Sequence, residues 1–154
     1  MLTVKVEGVA GLHELIGEEI GPSSSGRVTQ ADIDAFAEVS GDHQWIHVDA
    51  ERARAESPFG TTIAHGNLTL ALVDGFRPEL IEVAGTALGI NYGWNRIRFP
   101  APVPVDSEIR CLAEILSVTA VGNGWWELVT RFTVRGEGAE KPSFVGDSVV
   151  RLSA

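Results

Sequence analysis

The segment Gly66-Asn-Leu-Thr-Leu-Ala-Leu-Val-Asp-Gly-Phe76 constrains the fold of this chain more than any other. Leu68, Leu70, Ala71, Leu72 and Val73 cover most of a helix's circumference, so a helix starting near Gly66 is expected to be buried. A helix apolar on most sides needs cover on most sides. Beyond Gly85 the chain offers that cover, because its hydrophobic period changes to two. Ile109, Cys111, Ala113 and Ile115 alternate with Arg110, Leu112, Glu114 and Leu116. Asn123-Gly124 is the preferred hairpin pair, and after it Trp126, Leu128, Phe132 and Val134 share a face opposite Glu127, Arg131 and Arg135. Strand alternation turns one of Trp125 and Trp126 inward and the other outward. A last strand spans about Ser143 to Leu152. Four long antiparallel strands with one buried helix give an α+β domain whose sheet wraps its own helix.

The first half reads as helical. Thr29 followed by Asp32 resembles a capping box, with Ile33, Phe36, Ala37 and Ser40 on one face and Gly41 as the stop. Asp49 caps a short helix through Glu51-Arg52-Ala53-Arg54, and Pro58-Phe59-Gly60 forces a turn. The 154 residues fit one domain over 1–154, large enough to fold without staples. A single cysteine, Cys111, excludes a disulfide framework and a cysteine-based zinc site.

Net charge is −9, and Lys and Arg never stand side by side, so nucleic acid and an anionic membrane surface are not expected partners. The N-terminal stretch has no basic region followed by an apolar core, so it is not expected to be a signal peptide, and Pro58, Gly60, His65, Gly66 and Asn67 break the longest uncharged run. A cytoplasmic protein is expected, in which the Asn67-Leu68-Thr69 sequon is chance.

Polar residues cluster unevenly. Asp42, His43, Gln44, His47, Asp49 and His65 fall within 24 residues, between two helices. Placing several titratable groups beside a buried helix is costly unless they have a task. His47, Asp49 and His65 imitate a two-histidine, one-carboxylate metal triad, but they straddle a helix, so no metal is expected. Nucleophilic catalysis lacks a Gly-x-Ser-x-Gly elbow, and Cys111 sits mid-strand on an apolar face. Acid–base work by Asp42 and His47 on one water fits better. The two lie five residues apart across a non-helical loop, so one group can remove a proton while the other donates one. Gly66, opening the helix, offers a free N–H and the positive dipole end to a developing oxyanion.

The run Phe36-Ala-Glu-Val-Ser-Gly-Asp42-His-Gln-Trp-Ile-His47, with Ala53 following, resembles the signature of the MaoC-like (R)-specific enoyl-CoA hydratases. Pro58-Phe59-Gly60 through Ile63-Ala64-His65-Gly66 is similar to that family's next segment. Asn91-Tyr92-Gly93 and Arg98-Phe99-Pro100 through Val105 are similar to its later one. Gln44-Trp45 stands where the better-known members carry Asn-Pro, a form similar to nodulation-protein-N-like members. The resemblance implies a hotdog fold, a curved antiparallel sheet wrapped around a central helix. It also implies a homodimer with an acyl-CoA tunnel at the subunit interface.

By motif, Asp42, His47 and Gly66 take the catalytic positions. Gly60, His65, Asn91, Tyr92 and Arg98 are expected to contact the substrate, with no cofactor and no metal. His65 also reads as a hydrogen-bonding partner at the helix start. The implied reaction is reversible hydration of a trans-2-enoyl-CoA to the (R)-3-hydroxyacyl-CoA. A hotdog acyl-CoA thioesterase and a non-catalytic acyl-binding subunit are the alternatives.

Overall fold

The structure, a computed structural model, describes residues 3–153. In chain order the elements are β1 (Val4–Glu7), α1 (Gly8–Glu14), β2 (Glu19–Ile20), β3 (Gly26–Arg27), α2 (Gln30–Ser40), α3 (Trp45–Val48) and α4 (Ala50–Glu56). Then come α5 (Gly66–Leu80), β4 (Ile81–Ala84), β5 (Leu88–Arg98), β6 (Glu108–Gly122), β7 (Trp125–Gly136) and β8 (Phe144–Ser153).

Local chemistry sets several boundaries. The Thr29 hydroxyl accepts from the Asp32 N–H, and the Asp32 carboxylate accepts from the Thr29 N–H at 2.8 Å, completing the box that starts α2. Gly41 ends that helix in the left-handed conformation, at φ 77°. Asp49 caps α4 by accepting from the Arg52 N–H at 2.9 Å. Asn123 and Gly124 both take positive φ, as the tight turn between β6 and β7 requires.

The main sheet is antiparallel in the order β2-β6-β7-β8-β5, and β3 also pairs with β6. Helix α5 packs against β6, β7 and β8. Leu68, Val73, Phe76 and Leu80 of the helix share a core with Ile109, Cys111, Phe132, Val134 and Phe144 of the sheet. A second cluster forms under α1, where Leu12 meets Ile115, Val118, Leu128 and Leu152. Trp126 packs against this second cluster.

Three expectations need correction. Helix α5 extends to Leu80, because Pro78 falls in its last turn and Leu80 still has core to enter. The helix is also not buried all round. Asn67, Ala71, Asp74, Gly75 and Pro78 form an exposed stripe, since the sheet covers one side and, among the described residues, no element covers the other. The first half, finally, is not purely helical. Besides β2 and β3 it contributes β1, which pairs in parallel with β4 and ties the N-terminal segment to the end of α5. Among the described residues no helix is long and apolar enough to cross a membrane.

Candidate active site

The loop after Gly41, the short helix α3 and the start of α5 bring Asp42, His47, His65 and Gly66 together. His47 Nδ1 lies 2.7 Å from the Ile63 carbonyl oxygen. A carbonyl only accepts, so Nδ1 carries the proton and Nε2 of the neutral ring keeps a bare lone pair. Burial holds the His47 pKa below its ordinary 6.5 and the neighbouring His65 adds to this, while the Ile63 carbonyl and Asp42 oppose it. His65 is the N-cap residue of α5, and its Nε2 donates to the Asp42 carbonyl oxygen at 2.9 Å. The His47 and His65 rings stack with centroids 3.9 Å apart at 26°. Asp42 has an exposed side chain, and its Oδ1 accepts from the Gln44 N–H at 3.3 Å. One ligating atom from each of Asp42, His47 and His65 lies within 4.8 Å of the other two.

His47 and Gly66 line a cavity of about 410 Å³ together with Phe59, Thr69, Phe99 and Val103. Gly66 opens α5, so its N–H has no acceptor within the helix and stands at the positive dipole end. The Phe99 ring packs where a side chain at 66 would project, with carbons 3.0 Å from an ideal Cβ. The rest of the wall is apolar apart from Ser143, drawn from Ile63, Ala64 and the Pro100–Val103 segment. The cavity wall thus carries the His47 imidazole and the Gly66 N–H, with the exposed Asp42 carboxylate near His47 but outside the lining.

The family model described as "MaoC like domain" matches residues 12–130. The chain belongs to this family. Among curated relatives of this MaoC-like protein, "3-hydroxyacyl-thioester dehydratase Z" of Mycobacterium tuberculosis is 48% identical over 148 residues, covering 96% of this chain and 97% of that protein. "Nodulation protein N" of Rhizobium leguminosarum bv. viciae is 45% identical over 103 residues, covering 66% and 64%. An unliganded R-hydratase from Pseudomonas aeruginosa superposes with a TM-score of 0.68 at 27% identity, covering 90% of this chain and 83% of that one. The architecture is the hotdog arrangement of this family.

The remaining expected site residues scatter. Gly60 sits in the turn after α4, beside the cavity-lining Phe59, and its N–H donates to the Ser57 carbonyl at 3.1 Å. Asn91 lines a different cavity, of about 310 Å³, with Asp74, Arg77 and Leu152. Tyr92, its strand neighbour, is exposed, with the Arg151 guanidinium 4.2 Å over its ring. Arg98 is exposed at the end of β5 and donates to the Ile97 carbonyl at 2.7 Å, adjacent in sequence to Phe99. Within one protomer, Asn91, Tyr92 and Arg98 do not line the His47 cavity. Trp45 turns away as well, and carries the Arg52 guanidinium 4.4 Å above its ring.

The metal reading of this cluster meets a geometric obstacle. Asp49 is engaged as a helix cap, and the carboxylate near the two histidines is Asp42. Imidazole ligands place a metal near the ring plane at about 2.0–2.1 Å. Two nearly parallel stacked rings have planes that do not meet at that range, so one ion would sit well out of both. Sequence reasoning missed the Ile63 carbonyl, which sets the His47 tautomer but, as backbone, leaves no residue signature. It also missed Phe99 as the ring over Gly66.

Proposed function

We propose that this MaoC-like protein is a hydro-lyase that reversibly adds water to a trans-2-enoyl-CoA, giving the (R)-3-hydroxyacyl-CoA. The observation that carries the reading is the fixed tautomer of His47. The Ile63 carbonyl holds the proton on Nδ1, leaving Nε2 free as a base on a ring that lies near the Asp42 carboxylate and shares a cavity with Gly66. Water bound between Asp42 and His47 loses a proton to the pair as its oxygen bonds to C3. The C2=C3 electrons move toward the thioester carbonyl, whose developing negative charge the Gly66 N–H receives. A proton returns from the pair to C2, and the net change is the addition of one water. The deciding experiment follows loss of enoyl absorbance with crotonyl-, octenoyl- and dodecenoyl-CoA, alongside free thiol release read with a chromogenic disulfide. Thiol release in step with the loss of the enoyl band would replace this reading with a thioesterase, whereas hydration removes the band and frees no thiol.

Both proton transfers use one pair, so hydroxyl and proton arrive from the same side of the enoyl plane. The family resemblance makes the product R at C3. Activity is expected to survive chelation by EDTA and dialysis, and the product to resist an NAD-linked dehydrogenase specific for the S isomer. Rapid oxidation by that dehydrogenase would refute the shared-water geometry. Loss of activity restored only by added metal would revive a metal site.

The pH profile follows from the buried base. Because the His47 pKa lies below 6.5, the acid limb of kcat/KM is expected to have its midpoint below pH 6.5. A midpoint above 6.5 would remove His47 from the role of base.

A homodimer is part of the same proposal. Among the described residues strand β5 pairs only with β8, which leaves its outer edge open for pairing, and Leu88, Ile90 and Tyr92 are exposed along it. The exposed stripe of α5 carries the small residues Ala71 and Gly75, allowing close approach by a second copy. Light scattering at micromolar concentration is expected to give twice the chain mass; the monomer mass would contradict the assembly.

A further inference from the structure

We infer that His65 is a positioning residue that holds Asp42 and His47 in one fixed relation. It does so through its Nε2–H bond to the Asp42 carbonyl and its face-to-face contact with the His47 ring. The inference rests on the proposed pairing of Asp42 with His47 and goes beyond it, because no expected role of His65 joined the two.

Asp42 has little else to hold it. It follows the end of α2 in an exposed loop, and its carboxylate bonds only locally, to the Gln44 N–H at 3.3 Å. That bond fixes Asp42 relative to its own turn, not relative to His47. His65 reaches it from 23 residues away and from a rigid element. The segment Ile63–His65 is itself clamped. Ile63 N–H donates to the Ile46 carbonyl at 3.1 Å, Ala64 N–H to the Val103 carbonyl at 2.8 Å, and the His65 carbonyl accepts from the Thr69 N–H at 3.1 Å. From this one segment the Ile63 carbonyl orients His47 and the His65 ring orients Asp42. The His65 ring is 2% exposed and also packs against Phe36 of α2, with centroids 4.9 Å apart. A ring so confined has little freedom to let either partner drift.

The placement matters because a shared water demands it. A displacement of about 1 Å in a reacting group costs on the order of 10²-fold in rate. The titratable groups facing His65 are His47, stacked on it, and Asp42; Phe36 from α2 and Thr69 from α5 bring no charge.

Three variants separate the hydrogen bond from mere bulk. His65→Gln keeps an N–H donor at about the reach of Nε2, His65→Phe keeps a ring without a donor, and His65→Asn has an amide too short to reach Asp42. With crotonyl-CoA, His65→Phe and His65→Asn are expected to lose about 10²-fold in kcat with KM changed less than about threefold. His65→Gln is expected to recover to within about tenfold of the parent. Equal losses in all three would overturn the inference.

A second readout needs no activity. The pKa of His47 is followed by imidazole NMR with and without Asp42→Asn. In the parent, removing the Asp42 charge is expected to lower that pKa; in His65→Asn the shift is expected to shrink by at least half, and in His65→Gln to persist. A shift of the same size in His65→Asn overturns the positioning role even if hydration is observed. A parent inactive toward enoyl-CoA with the expected pattern of shifts would instead refute the proposed reaction and leave the positioning role standing.

Discussion

Replacing Asp42 by Asn, or His47 by Gln, is expected to lower the turnover of enoyl-CoA hydration by about 10²–10⁴-fold, the range for losing one general acid or base. The double variant is expected to lose little more than the worse single one. In the proposed mechanism both groups act on one water, so removing either already leaves it undirected. Folding should survive each change. Asp42 is exposed, and His47 lies on a four-residue helix outside both apolar core clusters. Steady-state kinetics on the three variants, with circular dichroism as control, make the check. Strictly additive losses, or one fully active single variant, would sink the pairing.

The largest effect on stability is expected at Phe144→Ala. Phe144 is fully buried, edge-on to Trp94 at 5.5 Å between centroids, and 5.8 Å from Phe99. Its ring lies so close to the backbone that a Cβ on Gly146 would fall 2.6 Å from its tip. Such a tightly held ring leaves a void that cannot collapse, and Phe→Ala in that setting costs about 3–5 kcal/mol. Domains of this kind carry ~5–15 kcal/mol in all, so the urea midpoint should drop steeply. The same change removes the backing of Phe99, the ring over Gly66, so the KM for crotonyl-CoA should rise in whatever fraction remains folded. A loss below about 1 kcal/mol would show that the aromatic cluster repacks freely.

Much of this was legible in the sequence wherever the signal is local. The Thr29/Asp32 box, the Asp49 cap, the Gly41 stop and the Asn123-Gly124 turn each need only a few neighbouring residues, and each appears at its expected place. Strands β6 and β7 were legible by alternation and β8 as a last strand, whereas β5 was not delimited. The short strands β2 and β3, with two residues each, are too brief to show a period, and β1 announces nothing of its distant parallel partner β4. The completeness of α5 burial was overread, because composition around a helix does not say whether its second side meets its own chain. Spacing alone brought Asp42, His47, His65 and Gly66 into one cluster. The expected substrate contacts Asn91 and Tyr92 fall elsewhere, Asn91 on a different cavity and Tyr92 in the register shift of β5 between Asn91 and Gly93, which no spacing signals.

The cavity is assembled from two distant stretches of chain. Residues 47–69 contribute His47, Gly66 and Thr69 together with the apolar Phe59, Ile63 and Ala64, and the second stretch contributes Phe99 to Val103 and Ser143. In the proposed mechanism the second stretch holds no proton-transfer group, so recognition can change there apart from reaction. Substitutions at Phe99, Ala101, Val103 or Ser143 can reshape the space offered to an acyl group without displacing a proton-transfer group. The second stretch is thus the place to diversify in a library aimed at new acyl chains, with residues 42–69 held constant.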